Sequence, residues 1–165
     1  MERIALAVED IHQLAQNIWD MMFGGGLEVA ENEPAGGAAF LTGSIQITGA
    51  WEGVVALRVS LDLARELACS MLAIEDPQET DLCDAIGELA NLTAGAVQPL
   101  LPTPTELTPP TVIEGRDYKL VFPRCSIVNE AAFGFRSQPL TITLFEANHD
   151  RCQRHPAETE CSFGG

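Results

Sequence analysis

Three polar residues that could take part in chemistry, Asp84, Glu88 and Asn91, lie close together in one predicted helix. On a helical wheel of about 100° per residue they share a stripe with Gly95. The apolar residues of the same helix fall on the opposite stripe: Leu82, Ile86, Leu89, Thr93, Ala96 and Val97. Carboxylates pair with cations or transfer protons, and an amide both donates and accepts hydrogen bonds. The pattern therefore predicts a row of reactive groups that points to solvent.

Two glycines lie beside this row, although glycine is a poor helix former. Gly87 and Gly95 each cost about 1 kcal/mol relative to alanine in a helix. We therefore expect that a larger side chain beside Glu88 and Asn91 would interfere with a molecule that approaches the row. The simpler alternative is an ordinary solvated face of an amphipathic helix, because a bare Glu-x-x-Asn pattern is common.

Few other residues could form a catalytic site. His12 is the only histidine before the C-terminal tail, so a Ser-His or Cys-His triad is not expected. The run Gly24–Gly26 lacks the Lys and the Ser or Thr of a phosphate-binding loop, and we interpret it as a helix stop. Trp19 and Trp51 are expected to anchor the core, since large rings bury much apolar area.

The C-terminal tail contains four candidate zinc ligands, namely His149, Cys152, His155 and Cys161. Their spacing does not match the paired ligands of zinc sites built on tight turns, so we predict no metal site there. The chain has an odd number of cysteines and no CxxC pair. The thiols are therefore expected to be reduced, with Cys69, Cys83 and Cys125 as small core residues.

Apolar periodicity predicts three helices, at 8–23, 61–72 and 79–100. Alternating apolar residues predict strands at 44–50, 54–60, 111–113, 118–123, 125–135 and 140–145. The Gly- and Pro-rich stretch 27–39 is interpreted as an irregular connection. The prolines of the stretch 102–110 are expected to enforce an extended crossing. This order predicts an α+β domain in which helices pack on a mostly antiparallel sheet.

Composition limits the size of the domain and its partners. The 165 residues, 46% of them hydrophobic, suit one domain at 1–147, followed by a polar tail at 148–165 without predicted structure. The net charge of −15 repels phosphate backbones and anionic lipids, so neither nucleic acid nor a membrane is expected as a partner. The start of the chain is acidic, and no apolar run approaches the roughly 18 residues of a membrane helix. A cytoplasmic protein is therefore expected.

The row on the third helix resembles the signature of a known family. Asp84-x-x-x-Glu88-x-x-Asn91, with the later segment 107–115, resembles the pattern of the CheC, FliY and CheX family of chemotaxis phosphatases. That pattern consists of an acidic or hydroxyl residue, a Glu, an Asn and a later Pro. The resemblance implies a CheC-like α+β fold.

The surrounding sequence is also similar to the CheX branch of this family. The segment 41–60 resembles its first hairpin, and 133–136 resembles its late strands. The resemblance spans about residues 4–147, which is nearly the whole predicted domain. The Glu and Asn motif is informative because the sequence around it agrees.

The resemblance implies that the helix presents Glu88 and Asn91 to the phosphorylated receiver domain of a CheY-type response regulator. Asn91 would orient a water molecule for in-line attack on the aspartyl phosphate, and Glu88 would pair with the receiver's active-site lysine. Asp84 and Gly95 would contact the partner beside them. The chain would need no cofactor of its own, because the receiver would supply the divalent metal, Mg²⁺.

The sequence departs from the family pattern in two places. CheC-like members carry the motif on two helices, but the first-helix counterparts here are Gln13, Asn17 and Asp20, which implies a single active face as in CheX. The CheX resemblance also implies a homodimer formed through sheet edges. The segment from Asn91 to Pro110 is shorter than the CheC spacing, so Pro110 is interpreted as a rigid strand entry without a catalytic role.

Two other functions fit the same residues. A non-catalytic adaptor could bind a receiver domain or a motor component through the same helix face. A small-molecule hydrolase could use Asp84 and Glu88, but it would need a concave pocket around them. An open helix face would favour the functions that involve a protein partner.

Overall fold

The structure, a computed structural model, describes residues 6–31 and 38–149. The helices of this part of the chain are α1 (Val8–Phe23), α2 (Leu61–Leu72) and α3 (Glu79–Val97), and a 3₁₀ turn, Gln98–Leu100, follows α3. The strands are β1 (Glu28–Ala30), β2 (Ala39–Gly49), β3 (Gly53–Ser60), β4 (Thr105–Leu107), β5 (Thr111–Arg116), β6 (Cys125–Phe135) and β7 (Gln138–Ala147). No helix in these ranges is long and apolar enough to cross a membrane.

All strand pairings of the described sheet are antiparallel. The order is β1-β6-β7-β3-β2, and both β4 and β5 pair with β2 along its far edge. In the central register Ile45 lies opposite Val55, which lies opposite Leu144. These side chains are buried on the face that carries the helices, which we call the inner face. The predicted α+β architecture with a mostly antiparallel sheet is confirmed.

Helix α3 lies very close to strand β2, and a glycine makes this approach possible. A Cβ atom at Gly43 would lie 2.9 Å from Cβ of Ala90 and 3.0 Å from the carbonyl oxygen of Ile86. Ile86, Ala90 and Leu89 are themselves fully buried. The sheet therefore supports α3 along its apolar stripe, and the opposite stripe faces outward.

The longest predicted elements agree with the structure. Helices α1 and α2 and strand β6 have the predicted bounds, and α3 ends at Val97, three residues before the predicted end. The interpretation of Gly24 as a helix stop is confirmed, because it caps α1 with φ 77°. Trp19 and Trp51 are buried as predicted.

Two predictions about the strands were wrong. The stretch 118–123 is not a strand, since it crosses the face of the sheet opposite the helices, where Leu120 and Phe122 pack on Phe145. One-sided packing of an extended segment gives the same alternation as a strand, so the sequence pattern cannot separate the two. The connection at 27–39, expected to be irregular, contains strand β1, which at three residues is too short to show a period. The crossing at 102–110 is extended as expected, and part of it forms the equally short strand β4.

The cysteine prediction was also wrong. Cys69, Cys83 and Cys125 are free thiols, as expected, but each is only partly buried. All three lie at the margin of the core, where a small apolar side chain can cover part of a surface without being enclosed. The tail residues Cys152, His155 and Cys161 lie outside the described residues.

Candidate functional site

The candidate site is built on helix α3, whose start is fixed by a local hydrogen bond. The backbone N–H of Gln78 donates to Oδ2 of Asp81 at 2.7 Å, which satisfies a donor at the helix N-terminus. Acidic residues in the first turn, Glu79 and Asp81, also interact favourably with the helix dipole. Farther along, the buried hydroxyl of Thr93 donates to the carbonyl oxygen of Leu89 at 2.7 Å. The helix is thus held by its own caps and by the sheet beneath it.

The predicted row lies on the exposed side of this helix. Asp84, Glu88, Asn91 and Gly95 are all exposed. Side chains three or four residues apart on a helix have Cβ atoms about 5–6 Å apart, so Glu88 and Asn91 can contact one ligand together. Within residues 6–31 and 38–149, the side chains of these two residues make no hydrogen bond or ion pair. The exposure predicted from the helical wheel is confirmed.

A shallow groove of about 580 Å³ runs alongside the row. It is lined by Cys83, Asp84, Gly87, Glu88, Asn91, Pro110 and Val112. The groove is open along one side and does not enclose the carboxylates. It therefore lacks the enclosing walls that a small-molecule hydrolase would need.

The two glycines of α3 have different surroundings. A Cβ atom at Gly87 would lie 3.2 Å from Cγ of Pro110, so this glycine is explained by packing within the chain. A Cβ atom at Gly95 would have no neighbour within 4 Å. Packing within the described chain thus explains Gly87 but not Gly95. The expectation that a partner needs the space beside the row therefore applies only to Gly95.

From its spacing in the sequence, Pro110 was predicted to have no catalytic role. In the structure it lines the groove together with Glu88 and Asn91. The neighbouring Thr108 fixes it there, because its N–H donates to the carbonyl oxygen of Gln46 at 2.9 Å. The N–H of Gln46 in turn donates to Oγ1 of Thr108 at 3.1 Å. This position depends on strand pairing far away in sequence, so no local pattern could have shown it.

The groove is acidic. Burial, and then the negative charges of Glu79, Glu114 and Asp84, raise the pKa of the Cys83 thiol. No Lys or Arg belongs to the described lining of the groove. It therefore favours a cationic group over a bare anion, and Cys83 is a protonated thiol at neutral pH rather than a nucleophile.

The first-helix counterparts form a different surface. Gln13, Asn17 and Asp20 are exposed, but Nε2 of Gln13 donates to Oδ1 of Asn17 at 2.9 Å. His12 packs edge-on against Phe133 with ring centroids 5.6 Å apart, which places it at the edge of the core. Helix α1 thus does not present a carboxylate followed, three residues later, by an amide without a partner, which is the arrangement on α3.

No metal-binding cluster of three or more His, Cys, Asp or Glu side chains occurs in the ranges 6–31 and 38–149. Of the candidate zinc ligands in the tail, only His149 is described. Its Nε2 lies 3.6 Å from Oε2 of Glu52, which is in the turn between β2 and β3.

Sequence comparison identifies relatives with a described activity. The family profile "Chemotaxis phosphatase CheX" matches residues 41–130, which is more than half of the chain. The protein "CheY-P phosphatase CheX" of Thermotoga maritima is 36% identical over 81 residues, or 46% of this chain and 52% of the relative. The chain thus spans about half the length of this curated relative.

Comparison with solved structures supports the fold. CheX from Vibrio vulnificus has a TM-score of 0.72 at 22% identity, and the match covers 88% of this chain and 100% of the Vibrio chain. A CheX from Borrelia burgdorferi, crystallised with CheY, BeF₃ and Mg²⁺, has a TM-score of 0.66 at 15% identity and covers 88% of this chain and 99% of that one. At these identities the likeness concerns the fold, which is the CheC-like fold expected from the sequence. Together with the profile match over residues 41–130, it shows that this chain belongs to the CheX family of chemotaxis phosphatases.

Proposed function

We propose that this protein hydrolyses the aspartyl phosphate of a CheY-type receiver domain through the row on α3. The observation that supports this most directly is the pair of Glu88 and Asn91, exposed, adjacent and without partners in the described chain. A carboxylate and an amide held on a rigid helix can enter the pocket of another protein without rearrangement. The related phosphatase of Thermotoga maritima and the CheX–CheY complex of Borrelia burgdorferi agree with this partner class.

In the proposed reaction, water attacks the phosphorus atom opposite the bond to the receiver's aspartyl oxygen. That bond breaks, the aspartate leaves as a carboxylate, and inorganic phosphate is released. Asn91 accepts a hydrogen bond from the water and donates one to a neighbouring oxygen, so it aligns the nucleophile without titrating. The contribution of Asn91 is thus positioning of the water.

Glu88 is proposed to hold the two proteins in register. Its carboxylate would pair with the receiver's active-site lysine, an interaction that is strong where the contact excludes water. Asp84 lies one turn before Glu88 and would add to the docking surface, and Gly95 would let the partner approach the last turns of α3. The acidic groove fits a lysine-bearing partner, whereas a free phosphate would be repelled.

The divalent metal of this reaction is proposed to belong to the receiver. In the receiver, Mg²⁺ would neutralise negative charge on the phosphoryl oxygens. This chain would bring Asn91 and Glu88 to a site that the partner has already assembled.

A homodimer through sheet edges is also part of the proposal. The described sheet has β1 at one edge and β4 with β5 at the other. Unpaired edge strands readily join a second sheet. Light scattering on the purified protein should therefore give twice the mass of one chain, and the mass of a single chain would contradict this part of the proposal.

The test is a panel of phosphorylated receiver domains from the same genome, each incubated with the purified protein. We expect faster loss of phosphate from one or a few receivers. Glu88→Ala should remove most of the acceleration. Glu9→Ala, at an exposed glutamate on α1, is the matched control and should leave it unchanged. If no receiver in the panel loses phosphate faster, the proposed activity is wrong.

The adaptor alternative makes a different prediction for the same panel. An adaptor would bind a receiver through α3 without changing the lifetime of its phosphate. Binding that is abolished by Glu88→Ala, with no acceleration by the parent protein, would favour the adaptor over the phosphatase.

A further inference from the structure

A second concave site lies on the face of the sheet opposite the helices, which we call the outer face. It is a cleft of about 390 Å³ beneath the segment that links β5 to β6. Its floor comes from the central strands, where Thr42 lies opposite Arg58 and Arg58 lies opposite Thr141. Tyr118, Lys119 and Leu120 of the linking segment cover it. We call this site the outer cleft.

The floor of the outer cleft is unusual because it is polar and yet buried. Thr42, Thr141 and Thr143 are 1%, 4% and 8% exposed. The hydroxyl groups of Thr42 and Tyr118 are hydrogen-bonded to each other, which joins the floor to the covering segment. Buried polar surface is costly unless something satisfies it, so a sheet face covered only for packing would favour apolar residues.

No acidic side chain among the described residues forms an ion pair with Arg58, a cationic group of this cleft. Its guanidinium carbon lies 4.1 Å from the ring centre of Phe40 and 5.4 Å from that of Tyr118. Its Nε–H is buried and has no acceptor in the described part of the chain. Arg136 and His149 each have an acidic neighbour, Glu66 and Glu52, and neither of these two glutamates lines the cleft.

This lack of a partner is notable in a chain with 24 acidic and only 9 basic residues. The acidic residue of the cleft, Glu130, is exposed, and its Oε2 accepts a hydrogen bond from Thr143 at 3.1 Å. Two aromatic rings also orient the planar guanidinium group of Arg58, so that the N–H donors along its edge, which form a fork, can still bind a ligand. Such a fork matches a carboxylate or a phosphate group.

We propose that the outer cleft binds a small organic anion. The oxyanion head pairs with Arg58, and Lys119 at the rim adds a second positive charge. The apolar part of the ligand lies against Leu120 and Phe145. The site is independent of the proposed phosphatase reaction, because α3 packs on the inner face and the outer cleft opens on the other side of the sheet.

Titration calorimetry of the full chain at constant ionic strength tests this proposal, with phenyl phosphate, benzoate and the uncharged benzyl alcohol as probes. We expect saturable binding of at least one anion and binding of the alcohol about tenfold weaker or less. The comparison of the two anions shows whether the head group is a phosphate or a carboxylate. No saturable binding of either anion, or equal binding of the alcohol, would overturn the proposal.

Variants locate the site. Arg58→Gln should weaken binding of the anion about tenfold or more, since it removes the charged fork. Arg136→Gln is the matched control, because Arg136 is exposed on the β6–β7 turn and pairs with Glu66. Lys119→Glu, at an exposed position that cannot affect folding strongly, should also weaken binding, by about fivefold. Unchanged affinity in both Arg58→Gln and Lys119→Glu would show that the anion does not bind in the outer cleft.

Discussion

At the scale of single residues, some groups of the site pack within the chain, whereas others are proposed to contact a partner. Gly87 is required by the ring of Pro110, whereas Gly95 has no neighbour that would need it. The side chains of Glu88 and Asn91 likewise make no hydrogen bond or ion pair within the described residues. Residues that cost the helix stability without packing inside the chain are those expected to act between proteins.

Replacement of Gly95 should therefore improve the fold and impair the function. Gly95→Leu is expected to raise the free energy of unfolding by about 0.5–1 kcal/mol, because leucine is the better helix former. The same bulk should slow receiver dephosphorylation about tenfold, since it obstructs the approach to α3. Urea unfolding and a phosphate-release assay measure the two effects. Gly95→Ala is the control, with a similar gain in stability and a smaller loss of activity. If Gly95→Leu retained full activity, the docking role of this position would be rejected.

The thiol of Cys83 gives a pH-dependent prediction. Its pKa is raised by burial and by neighbouring carboxylates, so the reactive thiolate is scarcer at neutral pH than in an unperturbed cysteine. Alkylation by iodoacetamide at pH 7 should be slower than for free cysteine. The rate should rise with pH and level off only above the usual range for a thiol. Mass spectrometry of the peptide containing Cys83 follows the reaction, and a rate at pH 7 above that of free cysteine would contradict this account.

At the scale of secondary-structure elements, the site depends on how closely α3 approaches the sheet. The approach uses Gly43 on β2, where a Cβ atom would meet Ala90 and the backbone of Ile86. The groove then forms between α3 and the segment that enters β5. A change in this packing would move Glu88 and Asn91 relative to Pro110.

Gly43→Ala should destabilise the protein by about 1–3 kcal/mol, because the added methyl group overpacks the contact between α3 and β2. Gly134→Ala is the matched control. This glycine lies in strand β6, and a Cβ atom there would have no neighbour within 4 Å. Urea unfolding curves of the two variants should differ clearly. Equal stability would mean that α3 is not held as closely as the structure indicates.

The elements also show how far the sequence could predict this fold. Helices α1 to α3 and the long strands β3, β6 and β7 were predictable, because they carry enough residues to establish a period. Strands β1 and β4 were missed, since three residues define no period. The exposed row was predicted from helical geometry alone. The place of Pro110 in the groove and the outer cleft could not be predicted, because both depend on pairing between strands distant in sequence.

At the scale of the whole molecule, charge is the dominant feature. The chain carries a net charge of −15. The contact between Arg136 and Glu66 and that between His149 and Glu52 are both partly exposed. Repulsion between the many negative charges opposes folding, and salt screens this repulsion. Salt also screens attractive ion pairs, but exposed pairs contribute little stability that could be lost. The proposed function therefore depends on local complementarity at α3 and not on long-range attraction.

This balance predicts that salt stabilises the protein. Raising NaCl from about 0.01 M to about 0.15 M shortens the screening length from about 30 Å to about 8 Å and should raise Tm at pH 7. The gain should shrink near the isoelectric point, where the net charge is small. Differential scanning calorimetry at the two salt concentrations measures it. A lower Tm in salt at pH 7 would show that attractive pairs outweigh the repulsion.

The central claim, that Asn91 positions the attacking water, is tested most directly by saturation kinetics of Asn91→Ala on the phosphorylated cognate receiver. We predict that kcat falls about a hundredfold while the half-saturating concentration of the receiver changes little, because positioning matters in the transition state. Asn17→Ala, at an exposed asparagine on α1, should retain the parent rate. An unchanged kcat in Asn91→Ala would contradict the mechanism.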